Sequence, residues 1–406
     1  MRALLPTLTF TLAALVLPAL AAPDEEFLGK SEGYPLCQRG PGVNLYAPRC
    51  MISSVSRFDE IFPARKVAKA AEPVALKRAA AEPKLRLGHV GSLDYYLGSN
   101  RTTGLLILKE DTILVDRYQY ERTAAHRMNS FSMAKTLTAM LVGIALEEKL
   151  IQSIDDRADQ YVAELKATVY GETPIRHLLS MSSGIQYVES NDPPCGDNAT
   201  LGRLSMGRQS PGGAATVAPF SRRAHAPGER YNYASADTQV LGLVLRAATG
   251  KTLADYLAEK IWQPMGAESY AFWSIDAGGY ETAYMSFHAT VRDYARIGML
   301  LANGGAINGR QLVPAAWVRE MTRPQTRYRS ENPRYDPYNG YGYQTWLIDG
   351  GRYFAALGFR GQAVYVDPKS KVVMVHTAAR EHRDPGHSSQ ASLWHAVAEQ
   401  FSKSQP

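Results

Sequence analysis

Apolar positions in this chain change their period twice, dividing it into sheet, helix and sheet again. Residues 104–109 and 112–118 are two aliphatic runs on either side of the acidic pair Glu110-Asp111, the pattern of a β-hairpin. Past Ser132 the alternation stops. The stretch M-A-K-T-L-T-A-M-L-V-G-I-A-L, ending at Leu146, is nearly all apolar and rich in helix formers, which predicts a buried helix. Helical patterns continue over 174–181, 236–248, 253–261 and 291–301. Strand patterns return at 341–348, 352–357, 362–366 and 371–376, with turns at Asp349-Gly350-Gly351 and Asp367-Pro368, and 390–401 reads as a closing helix. Strands at both ends with helices between predict an α+β fold, an α/β sandwich plus a helical lobe. Its body covers 89–403: one antiparallel sheet from about 92–131 and 305–403, flanked by helices, with a mostly helical lobe inserted at about 132–304. A cleft between sheet and lobe is the expected place for a site.

The N-terminal residues are of another kind. Met1-Arg2 precedes an apolar run over 3–20, which closes on Ala19-Leu20-Ala21. That is a secretory signal, residues 1–21, with cleavage expected after Ala21. Thr7, Thr9, Thr11 and Pro18 interrupt the run, and no later stretch reaches the ~18–20 apolar residues of a spanning helix. The expectation is an exported protein, periplasmic or secreted, with no stable membrane anchor after cleavage. Residues 22–88 form an extension: 24–63 irregular, and 64–88 a solvated linker or surface helix. In an oxidising compartment Cys37 and Cys50 are the disulfide candidate, closing a short loop with a gain of ~2–3 kcal/mol. Cys195, in P-P-C-G-D, is left over and reads as an unpaired thiol.

Composition narrows the choice of partner. Of the 406 residues, 45% are hydrophobic and 21% charged, ordinary for a globular protein. The net charge of +6 owes much to the segment from Arg65 to Arg86, and no basic stripe interleaved with aromatics suggests nucleic-acid binding.

Several short motifs fail on inspection. Gly250-Lys251-Thr252 looks like the end of a phosphate loop, but position 245 is Leu rather than Gly. Neither H-E-x-x-H nor G-x-S-x-G occurs, and His382 and His387 lack metal-ligand company, so no metal site is expected. His177 reads as a structural hydrogen-bonder.

Ser132 and Lys135 remain. On a helix, positions three apart share a face, with Cβ atoms ~5–6 Å apart, so Lys135 can reach the Ser132 hydroxyl. The start of a helix offers unpaired N–H groups to an oxyanion and disfavours an ammonium, which makes a neutral, basic lysine plausible there. About a hundred residues on, P-G-E-R-Y-N-Y-A-S-A-D places Tyr233 and Ser235 as Y-x-S at a helix start. Core packing and an N-cap are the plainer roles for that pair.

Together, S-x-x-K and Y-x-S resemble the serine β-lactamase and penicillin-binding-protein superfamily, in its class C-like branch. H-L-L-S-M-S-S-G-I at 177–185, L-A-E-K-I-W-Q-P-M-G-A at 257–267 and S-F-H-A-T-V-R-D-Y-A-R-I-G at 286–298 look like its framework segments. K-T-G and S-D-N are absent, and G-F-R-G-Q at 358–362 stands where K-T-G would be. With Y-G-Y-Q-T-W at 341–346, the chain looks most like 6-aminohexanoate-dimer (nylon-oligomer) hydrolases and related esterases.

The resemblance implies Ser132 as nucleophile, Lys135 and Tyr233 as acid–base pair, and an oxyanion hole from the Ser132 and Gln362 N–H groups. It implies that Tyr187, Ser235, Arg360 and Gly361 bind substrate. The expected reaction is hydrolysis of a small ester or amide, with no cofactor. The alternatives are a β-lactamase or D,D-peptidase, and an exported non-catalytic binding protein. For Tyr187 and Arg360 the competing roles are lobe packing and a solvent-facing strand residue.

Overall fold

The computed structural model describes residues 24–40, 42–190, 196–208, 210–326, 328, 337–381 and 386–402. The expected signal sequence, Cys195, His382 and the His387 side chain lie outside them.

Eight strands make the central sheet: β1 (Lys77–Arg78), β2 (Thr102–Lys109), β3 (Thr112–Tyr118), β4 (Tyr338–Tyr341), β5 (Trp346–Ile348), β6 (Tyr353–Gly358), β7 (Gln362–Asp367) and β8 (Val372–Ala378). Their order is β4-β5-β6-β7-β8-β2-β3-β1, antiparallel except where the edge strand β1 meets β3. β8 pairs with β7 on one side and β2 on the other, which joins the two ends of the chain in one sheet.

Side chains alternate between the two faces of a strand, and in β2 both faces are apolar. Leu105 and Ile107 enter a cluster with Tyr365, Met374, Leu393 and Trp394, the last two from the C-terminal helix Gly386–Ser402. Leu106 and Leu108 enter the larger core with Val364, Val373 and Val375. Helix Val291–Ala302 covers that face, and a Cβ on its Gly298 would come within 2.4 Å of Val373. The helix therefore belongs to the sandwich, although its sequence position suggested the lobe.

In the lobe, helix Ala134–Glu147 is buried from Ala134 through Ala145, as its unbroken apolar run implied. It packs on helix Ser235–Thr249. The lobe also contains strand pairing that the sequence did not reveal. Ala64–Val67, Ala271–Ser274, Phe287–Thr290 and Arg127–Asn129 form a second sheet, in that order. Strands of three or four residues show almost no period, and the two outer strands, Ala64–Val67 and Arg127–Asn129, have partners far away in sequence. For the same reason the segment 64–88, expected as linker or surface helix, contains Ala64–Val67 and β1.

The extension is docked rather than loose. Cys37 and Cys50 form a disulfide, with Cα atoms 5.5 Å apart. Leu28, Tyr34, Met51, Ile52 and Val55 form a cluster with Tyr120, Phe131 and Ala379 of the body. Among the described residues no helix is long and apolar enough to cross a membrane.

Candidate active site

Ser132 lies in a single 3-10 turn, Phe131–Met133, that runs into helix Ala134–Glu147. It keeps partial exposure while every other residue from 131 to 140 is buried. The turn is tightly held. The Ser130 N–H donates to the Phe287 carbonyl at 2.7 Å, and the Ser130 hydroxyl donates to the Phe131 carbonyl at 2.8 Å. Phe131 has φ +42°, a left-handed conformation that costs an aromatic residue ~1–3 kcal/mol. Its N–H donates to Asn129 Oδ1 at 2.9 Å, and its ring meets Phe359 edge-on at 5.9 Å.

Lys135, only 1% exposed, donates to Ser132 Oγ at 2.9 Å, Ser235 Oγ at 3.0 Å and the Tyr284 carbonyl at 3.1 Å. Burial lowers its pKa to about 8, partly opposed by the charge of Glu189. The Tyr233 ring lies 4.9 Å from Lys135 Nζ, and Ser132 is close enough to its phenol to oppose, weakly, the rise in its pKa. Burial, followed by Glu189, holds that phenol well above its ordinary pKa. Tyr233 stacks on Trp346 at 5.6 Å, and Tyr341 meets it edge-on at 6.1 Å. Ser132, Lys135, Tyr233 and Ser235 are thus brought together as their motifs implied, from two helix starts on neighbouring elements.

Glu189 is the member that the sequence did not disclose. The residue has exposed surface, yet its carboxylate is turned inward onto Ser235. It accepts the Ser235 N–H at 2.9 Å and the Ser235 hydroxyl at 2.6 Å. Desolvation raises its pKa, and Lys135 and Ser235 pull it back. Glu189 is separated from Ser235 by 46 positions, and only its place two residues after Tyr187 could have drawn attention to it.

The other candidates have different surroundings. Gln362 pairs with Gly358 across the β6–β7 turn, and its side-chain amide donates to the Ala378 carbonyl at 2.7 Å. Gly361, at φ +89°, packs towards Ala378, Arg380 and Gln390. The close approach to the Phe131–Met133 turn is made by Gly358, where a Cβ would come within 2.1 Å of the Ser130 carbonyl oxygen. Arg360 donates to the Arg380 carbonyl at 2.7 Å and lies 4.3 Å over the Tyr46 ring. Tyr187 is buried, edge-on to Phe220 at 5.0 Å, with its hydroxyl 3.3 Å from Asn198 Oδ1. That is the lobe-packing role weighed for it from the sequence. His177 lies 3.3 Å from the Ser182 hydroxyl, a structural contact. Among the described residues no group of three or more His, Cys, Asp or Glu is placed to hold a metal ion.

A serine at a helix start, a buried lysine one turn on and a tyrosine from the facing element define a β-lactamase-type site. Residues 98–399 match the family described as Beta-lactamase, and the chain belongs to that family. It is 25% identical over 353 residues to the 6-aminohexanoate-dimer hydrolase of Paenarthrobacter ureafaciens, covering 84% of this chain and 87% of that protein. Among solved structures, a Bacillus anthracis protein assigned as a 6-aminohexanoate-dimer hydrolase superposes with TM-score 0.77 at 24% identity, covering 91% of this chain and all of that one. A penicillin-binding protein from Bacillus halodurans superposes with TM-score 0.57 at 17% identity, covering 77% and 99%. These superpositions show the shared fold.

Proposed function

We propose that the protein is an exported serine hydrolase that cleaves carboxylic esters or amides through an acyl-enzyme. The observation that carries this reading is the Lys135–Ser132 contact of 2.9 Å, with the Tyr233 ring 4.9 Å from the same Lys135 nitrogen. Ser132 Oγ attacks the carbonyl, and its proton passes to the Lys135–Tyr233 pair, which titrates as a unit. The oxyanion is received by the Ser132 N–H and a backbone N–H of the 358–362 turn. The pair then protonates the leaving group. Water, activated by the same pair, releases the acid and regenerates Ser132.

Two features favour esters and simple amides over β-lactams. The 358–362 turn lacks the K-T-G lysine. Beside Tyr233, an aromatic group of Tyr231, Tyr328, Tyr341 and Trp346, with neighbouring ring centroids 5.1–5.6 Å apart, offers an apolar wall. The likeness to a 6-aminohexanoate-dimer hydrolase supports trying linear amides first.

The test is a panel of nitrophenyl esters, short linear amides and nitrocefin, assayed beside fluorophosphonate labelling of Ser132. The expected result is ester and amide turnover in the wild type. A folded Ser132→Ala variant should lose at least ~10³-fold in kcat and take no label. Turnover surviving in that variant would sink the reading, and turnover of nitrocefin alone would move it to a β-lactamase.

A further inference from the structure

We propose that Glu189 is a positioning residue for this hydrolysis, fixing the Ser235 hydroxyl so that Lys135 must direct its free electron pair at Ser132. The inference rests on the reading of Ser132 as nucleophile and Lys135 as part of its base. Counting protons around Lys135 leads to it.

The Ser235 hydroxyl has one proton, and it points to Glu189 Oε1 at 2.6 Å. Glu189 Oε2 is meanwhile held by the Ser235 N–H at 2.9 Å, so the carboxylate grips one residue with both oxygens. With its proton committed, Ser235 Oγ can only accept from Lys135 Nζ, which lies 3.0 Å away. The Tyr284 carbonyl, 3.1 Å from Nζ, can only accept as well. Two of the three ammonium protons are therefore tied to groups that cannot take the electron pair. The third lies on the line to Ser132 Oγ, at 2.9 Å. When Lys135 loses a proton it is this one, and the electron pair left behind faces the serine hydroxyl.

Without the carboxylate, Ser235 could turn its own proton towards Nζ and occupy that pair. The hydroxyl rotor of Ser235 is thus the switchable part, and Glu189 locks it. The other titratable groups facing Lys135 are Tyr233 and Tyr284, whose ring centroids lie 4.9 and 5.7 Å from Nζ.

Glu189→Gln tests this nearly without change of shape. The Gln carbonyl accepts the Ser235 N–H, its amide donates to Ser235 Oγ, and the serine proton is left to point at Lys135. The enzyme is assayed on a 4-nitrophenyl ester from pH 6 to 10, with Tm and fluorophosphonate inactivation rates measured alongside. The expected result is a loss of roughly 10- to 100-fold in kcat that persists on the alkaline plateau, with Tm close to wild type. In a Ser235→Ala background, the same Glu189→Gln change should cost less than about 3-fold, because its effect passes through the missing hydroxyl.

An unchanged kcat in Glu189→Gln, or an equal loss in both backgrounds, would overturn the proposal while leaving the serine-hydrolase reading intact. Absence of fluorophosphonate labelling in the wild type would overturn both.

Discussion

Burial makes Lys135 uncomfortable where it is, and the basic role proposed for it depends on that. Its ordinary pKa of 10.5 falls to about 8 in the folded protein, chiefly through burial. The folded state therefore binds fewer protons than the unfolded state between pH 8 and 10.5, and stability rises with pH across that window. Below it the lysine is charged in both states, and its burial costs about 3 kcal/mol. Lys135→Met should accordingly abolish turnover, by more than ~10³-fold, without lowering Tm at pH 7. Its relative stability should then decline as the pH rises from 8 to 10, which paired melts at the two ends will show. The same residue explains what a sequence can disclose. Ser132 and Lys135 were legible because one helical turn puts them in contact, and Tyr233 only because Y-x-S, taken together with S-x-x-K, resembles a family pattern. Glu189 meets Ser235 only through the fold, and no local spacing marks that meeting.

At the level of elements, the two parts that matter most are turns. Phe131 holds a left-handed backbone immediately before Ser132, the proposed nucleophile, and the β6–β7 turn closes against it. The resemblance implied Gly361, in the place of K-T-G, as a substrate-binding position; it said nothing of which residue packs on the Phe131–Met133 turn. Contact depends on where the strand stops, however, and β6 stops at Gly358, against the Ser130 carbonyl. Gly358→Ala should push that strand end away from the turn that bears Ser132. The expected outcome is at least a ~100-fold loss in kcat/KM with far-UV circular dichroism unchanged, because misplacement of catalytic groups by an ångström costs on that scale. The helices of the sandwich and lobe were readable from their apolar period. The second sheet was not, since four residues are too few to establish alternation.

For the molecule as a whole, the extension is the part most changed by seeing it folded. It joins sheet and lobe from outside: Tyr46 lies beside Phe131 at 6.3 Å and under Arg360, while Arg39 donates to the Met206 carbonyl at 2.6 Å. Arg208 returns a bond to the Arg39 carbonyl at 2.9 Å. The Cys37–Cys50 bridge sits within this brace. A Cys37→Ser, Cys50→Ser variant should lose about 2–3 kcal/mol in chemical denaturation, and reduction of the wild type should reproduce that loss. An unchanged midpoint after confirmed reduction would show that the bridge contributes nothing.

The brace also reverses the order in which this protein can be finished. Leu28, Tyr34 and Met51 are among the first described residues to leave the ribosome, yet one of their packing partners, Ala379, is among the last. Contacts spanning almost the whole chain are slow to form. The segment must wait, without its final partners, while more than three hundred residues are synthesised behind it. Docking of the extension against Phe131 and Ala379 is therefore expected as a closing step, and the proposed hydrolysis should lag the appearance of helical signal during refolding.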